Sequence, residues 1–172
     1  YINISIISQE SHFTALQIFT GNAHSTRFNT GAFNYVTWDW PTSFGDGAWH
    51  HFVTVYNKDS GFRVYRDGNL LVQDSAILGP MDTTTNEMCL GAKCESGGNA
   101  ENFIGSLDDV RIYNRALTAA QVSALYNAGG TKVNSSQTAV TSGLVGRWTF
   151  DGGDINWTSA TAGVAYDKSG KP

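Results

Sequence analysis

The feature that most constrains the fold is a segment, residues 105–126, in which an alternating strand leads directly into a capped helix. Residues 110–113, Val-Arg-Ile-Tyr, alternate apolar with polar or amphipathic side chains, as a strand buried on one face does. Thr118 and Gln121 then form a Thr-x-x-Gln capping box, in which each side chain can bond the other residue's backbone N–H. Gly129 and Gly130 supply a stop signal. The segment predicts a strand followed by one short helix near residues 118–127.

Most of the chain before this segment has the pattern of short β-strands. Two alternating runs, residues 52–56 and 62–66, flank the turn-rich loop 57–61, which predicts a hairpin. Further strands are predicted at residues 3–8, 13–20, 34–40 and 70–72. Short strands at regular spacing with glycine-rich turns are typical of an antiparallel sandwich.

Composition and charge narrow the class of protein. Only 15% of the residues are charged and the net charge is −4, which gives no electrostatic footprint for nucleic acid or an anionic membrane. No apolar run approaches the roughly 20 residues that a membrane-spanning helix needs. The abundance of Gly, Ser, Thr and Asn suits the turns of a secreted β domain. Because Tyr1 begins inside a strand pattern, we expect the beginning of the domain to lie upstream.

Four segments in a fixed order resemble the laminin G-like, pentraxin-like branch of the concanavalin A-like lectin/glucanase jelly rolls. They are Gly47-Ala-Trp-His-His-Phe-Val-Thr-Val-Tyr56, Phe62-Arg-Val-Tyr-Arg-Asp-Gly-Asn-Leu-Leu71, Met88-Cys-Leu-Gly-Ala92 and Phe103-Ile-Gly-Ser-Leu-Asp-Asp-Val-Arg-Ile-Tyr-Asn-Arg-Ala-Leu117. Their order and spacing match over roughly residues 5–127. The resemblance implies an all-β fold, an antiparallel two-sheet jelly-roll sandwich with one short helix, located outside the cell.

The end of the chain resembles the beginning of such a domain. Residues 143–152 are similar to the family's opening strand, and residues 166–170 to its Asp-x-Ser-Gly turn. We therefore divide the chain into a jelly roll lacking its first strands (1–130), a Ser/Thr/Asn-rich linker (131–142) and the opening strand of a following repeat (143–172). The competing interpretation is a circular permutation, in which 143–172 supplies a permuted strand of the same sandwich.

Cys89 and Cys94 are predicted to form a local disulfide. Along an extended strand their Cα atoms would be ~16 Å apart, far beyond the ~4.4–6.8 Å of a disulfide, so the bond requires a turn at Gly91. A secreted location favours oxidation, and two free thiols are the alternative.

The aspartates carry a metal hypothesis. Jelly rolls of the resembled family often hold a structural Ca²⁺, and the resemblance places it on Asp108, Asp151 and Asp167. Asp108 and Asp109 are predicted to lie on a strand and to point to opposite faces. The alternative to a metal role is that Asp109 pairs with Arg111 or Arg115 on a solvated face.

The sequence contains no recognisable catalytic constellation. Glucanases of this fold need carboxylates at alternate positions of one strand, and no such string occurs here. His50 and His51 lie at predicted strand positions, where packed or hydrogen-bonded histidines are expected. The chain is therefore predicted not to be an enzyme.

Aromatic residues provide the candidate ligand site. Trp38 and Trp40 would share one face of a strand, and exposed rings of this kind stack on sugars, with Asn34 and Asp39 near enough in sequence to bond hydroxyl groups. Paired tryptophans are also common in cores. Trp49 and Trp148 are assigned to packing.

Two functions follow. The first is a non-catalytic extracellular structural or adhesion repeat of a larger tandem or filament-forming surface protein, assembling by strand exchange with neighbouring copies. The second is a carbohydrate-binding, lectin-like module that uses the aromatic face. The partners expected are copies of the same protein, and glycans or cell-surface proteins in the second case.

Overall fold

The computed structural model describes residues 2–7, 15–18, 23–29, 33–39, 47–76, 78–79, 105–130, 140–150, 155–157 and 163–170. The strands are β1 (Ile2–Ile7), β2 (Ala15–Ile18), β3 (Ala23–Asn29), β4 (Phe33–Asp39), β5 (His50–Asn57), β6 (Gly61–Arg66), β7 (Asn69–Asp74), β8 (Val110–Tyr113), β9 (Leu144–Trp148), β10 (Ile155–Trp157) and β11 (Gly163–Ala165). One helix, α1 (Ala119–Gly130), follows β8.

The described strands form three sheets. The largest has six strands in the order β7-β6-β5-β1-β8-β9, and the others are β2-β3-β4 and the hairpin β10-β11. The pairings confirm the predicted fold class, with mostly antiparallel strands and one short helix. A difference concerns β1, which runs parallel to both β5 and β8. Parallel neighbours need a crossover connection, and the chain makes the first crossover through the strands β2 to β4.

Local turn chemistry builds the two hairpins of the large sheet. Between β5 and β6, the backbone N–H of Ser60 donates to the Asn57 carbonyl at 3.2 Å, and Gly61 has a φ of 81°, which confirms the predicted hairpin. Between β6 and β7, Asp67 (φ 51°) and Gly68 (φ 78°) form a two-residue turn with positive φ at both positions. An Asp-Gly pair is among the preferred sequences for such a turn, because its twist matches that of the flanking strands.

The large sheet is buried on both faces. One face packs against α1, and the cluster there contains Val53, Val55, Tyr65, Tyr113, Leu117, Val122, Leu125 and Leu144. The other face carries side chains that are each at most 1% exposed: Phe52, Tyr56, Phe62, Val64 and Val110. Burial of both faces means that layers cover the sheet on either side, as in a sandwich. Each of the large aliphatic side chains contributes roughly 1.5–3 kcal/mol through removal from water.

The start of α1 matches its sequence signature. The backbone N–H of Gln121 donates to Thr118 Oγ1 at 3.3 Å, and the backbone N–H of Thr118 donates to Gln121 Oε1 at 3.0 Å. This reciprocal pair is the predicted capping box. The helix extends to Gly130, three residues beyond the predicted end, so the two glycines lie in its last turn.

Candidate functional site

The most elaborate polar arrangement of the described residues lies where the end of the chain joins the large sheet. We call residues 109–117 the acceptor edge and residues 140–148 the tail segment. The strands β8 and β9 pair antiparallel, with Arg111 opposite Arg147 and Tyr113 opposite Leu144, and the register shifts between Ile112 and Tyr113. Beyond the strand, the Asn114 N–H donates to the Gly143 carbonyl at 2.8 Å. The backbone pairing therefore continues past the regular ladder.

Side chains of the acceptor edge also bond the backbone of the tail segment. The buried Tyr113 hydroxyl donates to the Val140 carbonyl at 2.9 Å, and Arg115 Nε donates to the Ser142 carbonyl at 2.7 Å. Arg115 Nη1 also donates to Gln121 Oε1 at 3.0 Å, which ties this contact to the helix cap. These bonds involve carbonyls outside the β8–β9 ladder. They therefore fix the residues that lead into β9 as well as β9 itself.

One apolar side chain and one glycine shape the fit. Leu144 is only 7% exposed and belongs to the cluster under α1, so it anchors the tail segment in the core. Gly143 has a φ of 77°, and a Cβ there would lie 2.8 Å from Arg115 Cγ and from Asn114 Oδ1. A larger residue at position 143 would meet both steric and backbone strain. The acceptor edge thus fits a glycine followed by an apolar residue.

Asp109 is the charged centre of the site. Its carboxylate accepts hydrogen bonds from Arg111, with Nε at 2.9 Å, and from Arg147 Nε at 3.0 Å. Burial by itself raises the pKa of Asp109, but the hydrogen bonds and charges of the two guanidinium groups outweigh it and hold the pKa below its ordinary value. Burial opposes the charge of Arg111 too, yet Asp109 raises the pKa of Arg111 above its usual value. One carboxylate therefore bridges two arginines on adjacent strands.

The predicted placement of the two aspartates needs correction. Asp108 and Asp109 precede β8, which begins at Val110, and Asp109 has a φ of 47°, so the alternation of a strand does not apply to them. Aspartate tolerates this left-handed conformation better than most residues do. Of the two alternative partners predicted for Asp109, Arg111 bonds it, whereas the guanidinium of Arg115 bonds Ser142 and Gln121. The pair is mostly buried and not on a solvated face, and Arg147 is a further partner.

A turn at the end of the chain covers the outer edge of β9. Asp167 Oδ1 accepts the backbone N–H of Arg147 at 2.9 Å and that of Ser169 at 2.8 Å, and the Lys168 N–H donates to the Arg147 carbonyl at 2.7 Å. Burial by itself raises the pKa of Asp167, but these N–H bonds and the Ser169 hydroxyl together outweigh it, so the pKa is lowered. Since Arg147 turns both backbone groups outward, it forms a non-hydrogen-bonded pair with Arg111, in which side chains approach closely.

His51 forms a second polar site beside the acceptor edge. Its ring is 9% exposed and stacks on Tyr126 of α1, with centroids 6.1 Å apart. Its backbone N–H donates to Asp67 Oδ1 at 2.9 Å, and its Nδ1 has no hydrogen-bond partner among the described residues. Burial, reinforced by the charge of Arg111, lowers the pKa of His51 to about 4. The residue is therefore a neutral, packed histidine, as the sequence predicts.

The other predicted packing residues differ in outcome. His50 Nδ1 lies 2.9 Å from Asp67 Oδ2, and its other ring nitrogen, Nε2, lies 2.8 Å from Arg66 Nη2, so it is a hydrogen-bonded histidine, as expected. Trp148 is half-buried, and a Cβ at Gly146 would lie 2.5 Å from its ring, so the ring packs over that glycine. Trp49 was assigned to packing, but its side chain is 51% exposed, so half of it faces solvent. It lies just before β5 begins, at the end of the sheet.

The predicted aromatic site falls on β4. The register places Asn34 opposite Phe28 and Trp38 opposite His24. Positions 34 and 38 share one face of the strand, whereas position 39 belongs to the opposite face. Trp40 lies outside the described residues. The glycan-binding role of these four residues stays a prediction.

The predicted metal ligands do not form a group in the described part of the chain. Asp108 is exposed, Asp167 has both carboxylate oxygens engaged by the turn, and Asp151 lies outside the described residues. Among the residues described, no group of three or more His, Cys, Asp or Glu side chains could hold a metal ion. A calcium ion on the three aspartates stays a prediction, and so does the disulfide, since Cys89 and Cys94 are also outside the described residues.

A two-faced buried sheet with a second sheet and one packed helix defines a β-sandwich of the concanavalin A-like type. The chain belongs to the laminin G-like family of the concanavalin A-like lectin/glucanases superfamily, whose sequence model matches residues 2–123. The earlier resemblance is thereby confirmed. A domain of this family is an adhesion or binding module of extracellular proteins.

Two curated relatives share part of the domain. They are the proteins named sushi, von Willebrand factor type A, EGF and pentraxin domain-containing protein 1 from Rattus norvegicus and from Mus musculus, each 29% identical over 89 residues. The match covers 48% of this chain and about 2% of the length of each relative. No solved structure matches the chain significantly.

Sequence reasoning missed most of the acceptor edge. Tyr113 and Arg115 lie on the acceptor edge and Arg147 lies on the tail segment, two parts of the sequence that only the β8–β9 pairing joins. One available signal for this site was Gly143 followed by the apolar Leu144 and then by Arg147. Its significance depends on knowing that Arg111 lies opposite.

Proposed function

We propose that this chain is a non-catalytic structural and adhesion repeat of a larger extracellular surface protein, and that neighbouring copies assemble by exchanging the tail segment. Family membership supports the adhesion or binding class. Among the described residues, no helix is long and apolar enough to cross a membrane. The finer proposal rests on how the end of the chain joins the sheet.

The observation that carries the proposal is the fit between the acceptor edge and the tail segment. The fit combines a buried Leu144, a required Gly143 and directed bonds from Tyr113 and Arg115. A β-strand edge satisfies its backbone groups equally well with a strand from its own chain or from another copy. The sequence between α1 and the tail segment, residues 131–139, is rich in Ser, Thr and Asn, a composition that suits a linker.

Cross-strand cysteines test whether the tail segment is exchanged. Arg111 and Arg147 are a directly opposite pair, so Arg111→Cys and Arg147→Cys place two thiols within reach of a disulfide. Both changes are made in a background in which Cys89 and Cys94 are serine. The two single variants are mixed, unfolded, refolded together and oxidised. Strand exchange predicts a disulfide-linked dimer of one chain of each kind.

The controls separate exchange from chance collision. Arg63→Cys lies on β6, opposite Gln73 and away from β8, so its mixture with Arg147→Cys should give no dimer above background. The double variant Arg111→Cys/Arg147→Cys in one chain reports the intrachain bond. An intrachain bond in the double variant, together with no mixed dimer over a wide concentration range, would show that the strand stays in its own sandwich.

A lectin-like module is the second candidate. It is favoured by the exposure of Trp49, 51%, next to the polar group formed by His50, Arg66 and Asp67, and by positions 34 and 38 sharing a face of β4. An exposed indole provides a stacking surface for a sugar ring. Glycan-array binding that is lost in Trp38→Ala or Trp49→Ala, while the far-ultraviolet circular dichroism is unchanged, would favour this function.

A further inference from the structure

We propose that Asp109 is the residue that selects β9 as the incoming strand and fixes its register on β8. This role deepens the proposed function, because it names what the acceptor edge requires of a donated strand. Only the case in which the strand comes from another copy rests on the proposed function. That requirement is a guanidinium three residues after a buried apolar side chain, the spacing of Leu144 and Arg147.

The first step concerns charge. Arg111 and Arg147 lie directly opposite each other, and like charges in such a cross-strand pair destabilise a sheet. Asp109 accepts hydrogen bonds from both, so the same pair becomes a bridged arrangement of two positive groups and one negative group. The favourable docking of a strand with arginine at this position therefore depends on Asp109.

The second step concerns register. The strand β9 has only five residues, Leu-Val-Gly-Arg-Trp, with a glycine at its centre and a register shift against β8. Short, glycine-containing strands specify their register weakly. Burial at position 144 needs only an aliphatic side chain of similar size, whereas Asp109 bonds the guanidinium at position 147. The carboxylate supplies the part of the recognition that burial of an apolar group cannot supply.

The third step concerns how Asp109 is held. Its φ of 47° directs it away from strand alternation, and Arg111, from its own side of the pairing, donates to it with both Nε and Nη2. The side chains of Asp109 and Arg111 are 22% and 18% exposed, against 39% for Arg147. In the docked arrangement, Asp109 and Arg111 are thus the more buried part of the bridge, and Arg147 is the more exposed part.

A double-mutant cycle tests the proposal. Asp109→Asn should reduce the equilibrium constant for docking of the tail on the order of tenfold to a hundredfold, the range for loss of a charged hydrogen-bond partner. Arg147→Gln should reduce this equilibrium constant less. The double variant Asp109→Asn/Arg147→Gln should have a larger equilibrium constant than Asp109→Asn alone, because it no longer contains two arginines facing each other without a bridging carboxylate. Docking is measured by hydrogen exchange of tail amides in the full chain.

The register is observed directly by NMR. In a non-hydrogen-bonded antiparallel pair the two Hα atoms are close, so wild type should show an Hα–Hα contact between Arg111 and Arg147. Asp109→Asn should weaken that contact or replace it by one to a residue two positions away. The matched control is Asp59→Asn, whose side chain is 73% exposed in the turn between β5 and β6 and which should leave the contact and the exchange rates unchanged.

Two results would overturn the proposal. One is wild-type register and tail protection in Asp109→Asn. The other is additivity of the two single changes, which would mean that Asp109 serves its own turn and not Arg147. Arg147→Gln keeps the Asp109–Arg111 pair, so it remains informative if Asp109→Asn fails to fold. The readouts apply whichever chain supplies the strand, so absence of the mixed dimer described above would reject strand exchange and leave the role of Asp109 to be judged separately.

Discussion

Arg111 on β8 and Arg147 on β9 lie directly opposite each other, and the carboxylate of Asp109 accepts hydrogen bonds from both. Two positive side chains in register would normally oppose pairing of their strands. Here the carboxylate of Asp109 links them, so both arginines contribute to the contact between the acceptor edge and the tail segment. The same region contains the glycine, the tyrosine and the turn on which the following predictions rest.

Gly143→Ala should loosen the tail segment. The new Cβ would meet Arg115 and Asn114 at 2.8 Å, and φ at this position is 77°, which disfavours any residue with a side chain. We expect a loss of about 1–3 kcal/mol in the free energy of unfolding, measured by urea denaturation. The matched control is Gly129→Ala in the last turn of α1, where a Cβ would meet nothing within 4 Å. Equal stability of the two variants would contradict the steric account.

Tyr113→Phe should weaken the attachment of the residues that lead into β9 without disturbing the core. The ring of Tyr113 is fully buried, and its hydroxyl donates to the Val140 carbonyl at 2.9 Å. Loss of that bond leaves a carbonyl without its donor and should cost about 1 kcal/mol. Tyr126→Phe is the control, since Tyr126 is 39% exposed. Thermal denaturation of the two variants measures the difference, and a larger loss in Tyr126→Phe would argue against the assignment.

His51 should make the fold acid-sensitive between about pH 6.5 and 4. Burial lowers its pKa from 6.5 to about 4, so in this window the unfolded chain binds a proton that the folded chain does not. Stability therefore falls as the pH falls, by up to about 3 kcal/mol at ~1.36 kcal/mol per pKa unit. The lowered pKa values of Asp109 and Asp167 act at more acidic pH.

The variant His51→Phe should flatten the curve of unfolding free energy against pH in that window, because it removes the titrating group and keeps a ring for Tyr126. A slope that survives in His51→Phe would assign the acid sensitivity to another group.

Asp167→Ala should expose the outer edge of β9. The Arg147 N–H would lose its acceptor on Asp167, and the turn at residues 166–170 would lose the bond from Ser169. We expect faster hydrogen exchange at the Arg147 amide, with little change at amides of β5. Asp167→Asn retains an acceptor oxygen, so the exchange rate of its Arg147 amide should lie between those of wild type and Asp167→Ala. Unchanged exchange at Arg147 in Asp167→Ala would show that the turn does not protect the edge.

Calcium binding through Asp108, Asp151 and Asp167 is a proposal that rests on the family resemblance. If these residues hold the ion, Asp167 should be the weakest ligand, because its oxygens already accept bonds from Arg147 and Ser169. Isothermal titration should then show a larger loss of affinity in Asp108→Ala than in Asp167→Ala. Absence of calcium binding by the unaltered chain would remove the ion from the description of this domain.

Local patterns were sufficient for much of the fold. The alternation at residues 110–113 and the pair Thr118 and Gln121 predicted β8 and the start of α1, and the structure has both. The glycines at 129 and 130 misled the prediction of the helix end, since a last turn tolerates glycine when tertiary packing holds the helix. The solvent exposure of Trp49 was also unforeseen, because sequence alternation does not reveal where a sheet ends.

The sequence by itself determined the sandwich class, its hairpins and the capped helix, because these depend on periodicity and turn chemistry within a few residues. The family was indicated by the resemblance of four ordered motifs. Only the tertiary structure decided that β8 and β9 pair with Arg111 opposite Arg147, that Asp109 bridges them and that Asp167 covers the outer edge. These contacts join residues up to 38 positions apart. Their contribution to stability comes from burial and from charge compensation between strands. Such effects arise only when the chain has brought the groups together.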